Sequence, residues 1–196
     1  MITTDFVTID LAGFTISGPA VLGTSGIIAP GRSPLSQGLA VRNGSIQGFG
    51  VGVALADNSI VEGLRVAQSL QGGIQIKTGI VRGNTVINIS RNDTPGIAAG
   101  GTVTGNFSSF NAGTGFVIAE GSTVIGNTAT NNGIGFVIAG GSTVIENTAT
   151  NNGIGITVQC PSNVTSNTAV FNSTFNLFFN PSIVSCNNTN NSDFSR

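Results

Sequence analysis

Charge is the scarcest property of this chain. Only 8% of its 196 residues are Asp, Glu, Lys or Arg, against roughly 25% in an ordinary globular protein. The net charge is −1, Lys77 is the sole lysine, and no basic run exists. A surface that tracks nucleic-acid phosphates is therefore not expected. His, Trp and Tyr are absent, which removes His-based catalytic triads, the commonest metal ligand and the usual stacking platforms for sugars, although twelve Phe remain. No metal or cofactor is expected from such a set. Long apolar runs are missing too. None approaches the roughly 18 residues of a spanning helix, so low charge does not mean a membrane span. Disorder is equally unsupported, because Val, Ile, Leu and Phe recur at regular spacing. Gly, Asn, Ser and Thr fill the place of charge and predict a polar, nearly uncharged surface.

That regular spacing is a repeat. Residues 122–141 read STVIGNTATNNGIGFVIAGG and residues 142–161 read STVIENTATNNGIGITVQCP, a 20-residue period with one difference in the first fourteen positions. Extending the register places Val61, Val81, Val103, Val124, Val144, Val164 and Val184 in one column. Such a column predicts an inward β-strand ladder in which branched side chains stack coil on coil. The sixth position is Leu64 and then Asn84, Asn106, Asn127, Asn147, Asn167 and Asn187. An unbroken Asn column predicts a turn in which each amide bonds the next, and a second, partial column follows at Asn111, Asn132, Asn152 and Asn172. Between the columns each unit reads as three short strands, as in Thr123–Gly126, Thr128–Thr130 and Ile134–Ile138. Alternation places Ile134, Phe136 and Ile138 inside. Helix is excluded by composition and by the absence of a 3.6-residue period.

The expected fold is thus all-β, a single-domain parallel β-solenoid (β-helix) of about nine coils of roughly 20 residues. Its expected parts are 1–43 (first coil or coils, with an insertion at 18–37), 44–181 (stacked coils) and 182–196 (a polar C-terminal cap). The first coil shows no cap of its own, which suggests a homo-oligomer through that end or a preceding segment. Cys160 and Cys186 fit either two buried thiols or one disulfide across a loop of about 25 residues. Met1 leads straight into Ile-Thr-Thr-Asp-Phe-Val with no basic or apolar leader, which fits either a cytoplasmic protein or a secreted or cell-surface one whose signal has been removed; the second is the expectation, because the sequence starts inside a coil.

Val7-Thr-Ile-Asp-Leu-Ala-Gly-Phe-Thr-Ile-Ser-Gly18 and Arg42-Asn-Gly-Ser-Ile-Gln-Gly-Phe-Gly50 resemble the opening coils of right-handed parallel β-helix proteins of the pectate-lyase-like superfamily. The later Gly-Asn, Thr-Ala, Asn-Asn and Gly-Ile-Gly units resemble short β-helix repeats of secreted bacterial proteins, including the nitrous-oxide-reductase accessory type. Cys160-Pro-Ser-Asn with a later Cys186 looks like a recurrent ending among them. The resemblance implies the right-handed sense of the coil. For function it implies little, because that superfamily holds lyases, hydrolases, epimerases, tailspikes and surface proteins.

Chemistry has few residues to work with. Gln75-Ile-Lys77 echoes the Arg-Ile-Lys of polygalacturonase-like hydrolases, but without the clustered Asp and the Gly-His-Gly that accompany it. Charge is densest at Glu62, Arg65, Lys77, Arg82, Arg91 and Asp93. These are the candidate binding residues and the place for a carbohydrate-active site near residues 59–100, should the protein be an enzyme. Glu62 and Arg82 share the fourth position of adjacent units, which also suits a surface ion pair. The Thr128/Thr130 and Thr148/Thr150 pairs form a small outward lattice like that of ice-binding solenoids, interrupted by Phe107, Ser109 and Val170. The leading expectation is a non-catalytic structural or polysaccharide-contacting module. A polysaccharide lyase or hydrolase and an ice-binding solenoid are the alternatives.

Overall fold

In the computed structural model, which describes residues 2, 4–29, 37–180 and 185–194, the valine column is a continuous parallel ladder. Val41, Val61, Val81, Val103, Val124, Val144 and Val164 pair in register from coil to coil and are fully buried. The first coil comprises β1 (Thr8–Asp10), β2 (Thr15–Ser17) and β3 (Ser25–Ile28). In the second, β4 (Ala40–Gln47) runs through the first two strand positions and β5 (Val51–Leu55) supplies the third. The third repeats this with β6 (Ser59–Ala67) and β7 (Gly72–Ile76). Next come β8 (Gly79–Arg82), β9 (Thr85–Ile87) and β10 (Pro95–Ala99), then β11 (Gly101–Thr104), β12 (Phe107–Ser109) and β13 (Thr114–Ile118). The two near-identical units give β14 (Thr123–Ile125), β15 (Thr128–Thr130) and β16 (Ile134–Ile138), then β17 (Thr143–Ile145), β18 (Thr148–Thr150) and β19 (Ile154–Gln159). Closing the stack are β20 (Asn163–Thr165), β21 (Thr168–Val170), β22 (Phe175–Asn180), β23 (Asn187–Thr189) and β24 (Ser192–Phe194).

Every pairing is parallel, and no helix occurs among the described residues. The fold is a parallel β-solenoid. Its third file is eight strands deep, so complete three-strand turns fall short of nine. β3 lies inside the stretch expected to be an insertion and pairs with β5. Only residues 30–36 of that stretch lie outside the described residues. Within the stretch expected as a cap, β23 pairs with β20 and β24 with β21.

Two corners are built the same way. A residue with positive φ precedes an Asn whose amide reaches the next coil. At the first corner the left-handed residues that precede an Asn are Gly83, Gly105, Gly126, Glu146, Ser166 and Asn190, while Asn43 and Gly63, also left-handed, precede Gly44 and Leu64 in the earlier coils. Asn106 is typical of the residue that follows. Its Nδ2 donates to Val81 O (2.9 Å) and to Asn127 Oδ1 (2.9 Å), and its backbone N–H donates to the same Oδ1 (3.0 Å). This satisfies buried main-chain groups that a turn would otherwise strand. Asn84, Asn106, Asn127, Asn147 and Asn167 form the expected ladder, but Asn187 does not join it. Asn191 accepts from Asn167 instead (N–H 2.8 Å, Nδ2 2.9 Å). The cause is a longer last coil: Asn163 pairs with Asn187, 24 residues on, so Asn187 occupies an exposed strand slot. For the same reason Asn188 sits opposite Val164, while Val184 lies outside the described residues.

The ladder corner also holds its length. Val61 to Val66, Val81 to Val86, Val103 to Ser108, Val124 to Ala129, Val144 to Ala149 and Val164 to Ala169 are all buried pairs five residues apart. The other two corners vary. Inside the third file Phe116 and Phe136 stack at 4.6 Å with an interplanar angle of 6°. Phe136 and Ile138 are buried as expected. Ile134 is only half-buried, because it sits at the strand entrance beside Thr114 and Ile154.

Candidate functional site

The second corner, between the second and third files, carries the less ordinary residues. Its left-handed positions are Gln68, Asn88, Phe110, Asn131, Asn151 and Phe171. The adjoining register Ile87–Ser109–Thr130–Thr150–Val170 places the last five directly above one another. Asn accepts this conformation readily. A bulky Phe there is an outlier that costs roughly 1–2 kcal/mol. Phe110 and Phe171 nevertheless hold φ of 53° and 57° and turn their rings outward, 62% and 54% exposed. Behind them the second ladder runs from Asn111 through Asn132 and Asn152 to Asn172, ending on Asn176 Oδ1 (3.0 Å from Asn172 N).

At the C-terminal end this corner opens into a cleft of about 770 Å³, lined by Asn151, Asn152, Gly153, Phe171, Asn172, Ser173, Thr174, Phe175, Asn176, Leu177 and Asp193. Asp193 faces Ala169 across the β21–β24 pair, in the slot that Ala129, Ala149 and Ala169 fill below. Its side chain is exposed to the cleft. Phe175 forms the other wall and lies against Phe178 (centroids 5.7 Å apart). The lining joins two aromatic faces, side-chain amides and hydroxyls with a single carboxylate. Such a surface can stack on apolar ring faces and hydrogen-bond neutral hydroxyls. Glycoside hydrolysis needs two carboxyls facing across the bond, and the described lining supplies one.

The six charged candidates are not gathered into one site. Arg82 Nε donates to Glu62 Oε2 (2.5 Å) in the first file, as the register Glu62–Arg82 requires. Two residues that repeat spacing did not single out extend this pair. Arg42 Nη1 lies 3.9 Å from Glu62 Oε1, and Arg42 Nε donates to Asp10 Oδ2 (2.9 Å), giving a file of alternating sign, Asp10–Arg42–Glu62–Arg82. The irregular first coil hides Asp10 from a 20-residue register. Its carboxyl is held below the ordinary aspartate range, chiefly by the Ala12 N–H; desolvation opposes this next, and hydrogen bonds from Asn43 and Arg42 add to the lowering. Lys77 pairs with Asp57 (2.9 Å) at the corner after β7; Lys77 and Thr78 lower the Asp57 pKa. Arg91 pairs with Asp93 (3.0 Å) in the corner loop between β9 and β10 and lowers its pKa. Arg65 starts the second file opposite Ser45 and Thr85 and has no ion pair among the described residues. These exposed pairs contribute little to stability.

Cys160 and Cys186 form a disulfide with Cα atoms 4.9 Å apart. The longer last coil brings Cys186 beside the level of Ser162, which a strict 20-residue register does not. Phe110 and Phe171 escape attention in the sequence because an isolated Phe among apolar strands reads as core. The available signal was their column, which Asn131 and Asn151 share.

Comparison of the sequence with protein families and with curated proteins finds no match. Among solved structures, the complex of XylC with xylose is similar, with a TM-score of 0.59 and 12% identity over 69% of this chain. The chain spans 32% of that protein's length. At this identity the likeness concerns architecture alone, and on that level it agrees with the ladders described above: the chain has the parallel β-helix fold.

Proposed function

We propose that this protein is a non-catalytic, secreted or cell-surface β-helix of the pectate-lyase-like kind that binds glycans. The observation that carries the reading is the C-terminal cleft: two exposed Phe rings, amides and hydroxyls around one carboxylate, in a C-terminal half nearly free of charge. Neutral polyols match such a lining, whereas phosphates and polyanions would call for cations that it does not offer. The structurally similar XylC was captured with xylose, which agrees with a carbohydrate ligand. The Cys160–Cys186 bond suits an oxidising compartment, and no helix among the described residues is long and apolar enough to cross a membrane. The charged residues of 59–100 serve the surface of the rod in this reading, because five of the six are engaged in ion pairs at separate places, one file and two corners.

A glycan array followed by a turnover assay on every hit tests the proposal. The expected result is binding with no new reducing ends and no unsaturated products. Turnover by the wild type that disappears in Arg82→Ala would move the protein to the enzyme class, and an array without any hit would remove the glycan-binding role.

A further inference from the structure

The C-terminal cleft is not the only depression on the second corner. A shallow hollow of about 420 Å³ lies further down, lined by Asn88, Ile89, Ser90, Phe110, Asn111, Ala112 and Asn131. Asn131, at its upper rim, and Asn151, at the lower rim of the cleft, occupy the same position of consecutive coils. The two depressions therefore lie end to end along five coils of one corner, with an exposed Phe near each end and amides between. Phe110 and Phe171 are three coils apart, about 14 Å along the rod. The positions holding them are those where Asn or Gly would be easiest, and both rings point away from the core. Backbone strain retained where packing does not demand it is a mark of function. No residue lining either depression is charged except Asp193.

We propose that this corner is the bed of an extended, neutral polysaccharide laid parallel to the rod axis, anchored by stacking on Phe110 and Phe171 and hydrogen-bonded by the intervening Asn131 and Asn151. The coil spacing of about 4.8 Å is close to the rise per sugar of an extended β-1,4-linked chain, so successive residues meet successive coils. This deepens the glycan-binding reading and rests on it.

The test is isothermal titration with β-1,4-linked gluco- and xylo-oligosaccharides of two to six units, using wild type, Phe110→Asn and Phe171→Asn. Asn is the native residue of the neighbouring corners, so both variants should melt at or above the wild-type temperature. The expected result is affinity that climbs with length until both rings are spanned, and a loss of about tenfold for the hexasaccharide in each variant. Hexasaccharide affinity unchanged in both variants, or no higher than disaccharide affinity in the wild type, would overturn the axial bed while leaving glycan binding intact. A wild type that binds no glycan on the array would overturn both.

Discussion

Replacing Asn147 with alanine tests the ladder at its best-formed rung. The side chain is fully buried. Its Nδ2 donates to Val124 O (2.9 Å), Ile145 O (3.0 Å) and Asn167 Oδ1 (3.0 Å), while its Oδ1 accepts from the backbone N–H and the Nδ2 of Asn127, both at 3.0 Å. Alanine strands the Asn127 N–H, which no other described group accepts, at about 1–3 kcal/mol, and forfeits other buried bonds at about 1 kcal/mol each. The expected loss is about 3–5 kcal/mol, or roughly 6–20 °C in Tm for a chain of this size. Asn147→Asp should be worse near neutral pH. It sets a carboxylate against the three oxygens that now accept from Nδ2, and it should recover in part as acid protonates the carboxyl. Asn187→Ala is the control: its side chain is exposed and outside the ladder, so its cost should stay within about 0.5 kcal/mol. Urea unfolding followed by far-ultraviolet circular dichroism reads all three. An Asn147→Ala protein within 1 kcal/mol of wild type, or one no less stable than Asn187→Ala, would refute the ladder as the element that holds this corner.

Glu146 holds a left-handed φ of 55° where the preceding coil has Gly126; Glu146→Gly should stabilise by about 0.5–1 kcal/mol, the relief of strain less the entropy gained by the unfolded chain, and a lower Tm would contradict this. Reducing the disulfide should cost about 3 kcal/mol by the loop-entropy argument. Hydrogen exchange should place the loosening at residues 187–194, and uniform loosening along the rod would count against a local staple. Asp10, Asp57 and Asp93 all titrate below the ordinary aspartate range. Their contribution is therefore complete above the unfolded value near about 3.9 and is lost as pH falls through the lower folded values. Melting temperature should be level between about pH 7 and 5 and decline only below about pH 4; a decline that begins above pH 5 would point to other groups.

The regular half of the rod was legible because stacking repeats one environment: Val124 and Val144, or Asn127 and Asn147, meet the same neighbours and so show the same letters. Legibility ended where coil length changed. Asn187 was placed by a 20-residue step that the last coil does not keep, and the partnership of Cys160 with Cys186 depends on that longer coil. Asp10 and Arg42 meet across an irregular first coil, and spacing alone could not pair them. Phe171 was hidden because a lone Phe reads as core, and Asp193 because the 20-residue step does not assign it to its slot opposite Ala169. Asp193 occupies the slot that Ala129, Ala149 and Ala169 fill in the regular coils, and its side chain is exposed to the cleft.

The constant five-residue step across the ladder corner has a consequence for the growth of such a rod. Residues 122–141 and 142–161 present nearly the same seam, so a further copy of the 20-residue unit 122–141 could be spliced between Gly141 and Ser142 and find its bonding partners already in place, with the Cys160–Cys186 bond undisturbed. Length then becomes a countable variable, one increment of about 4.8 Å for each copy. The chain is in effect a ruler, whose gene can be lengthened by unequal crossing-over without a new folding problem to solve.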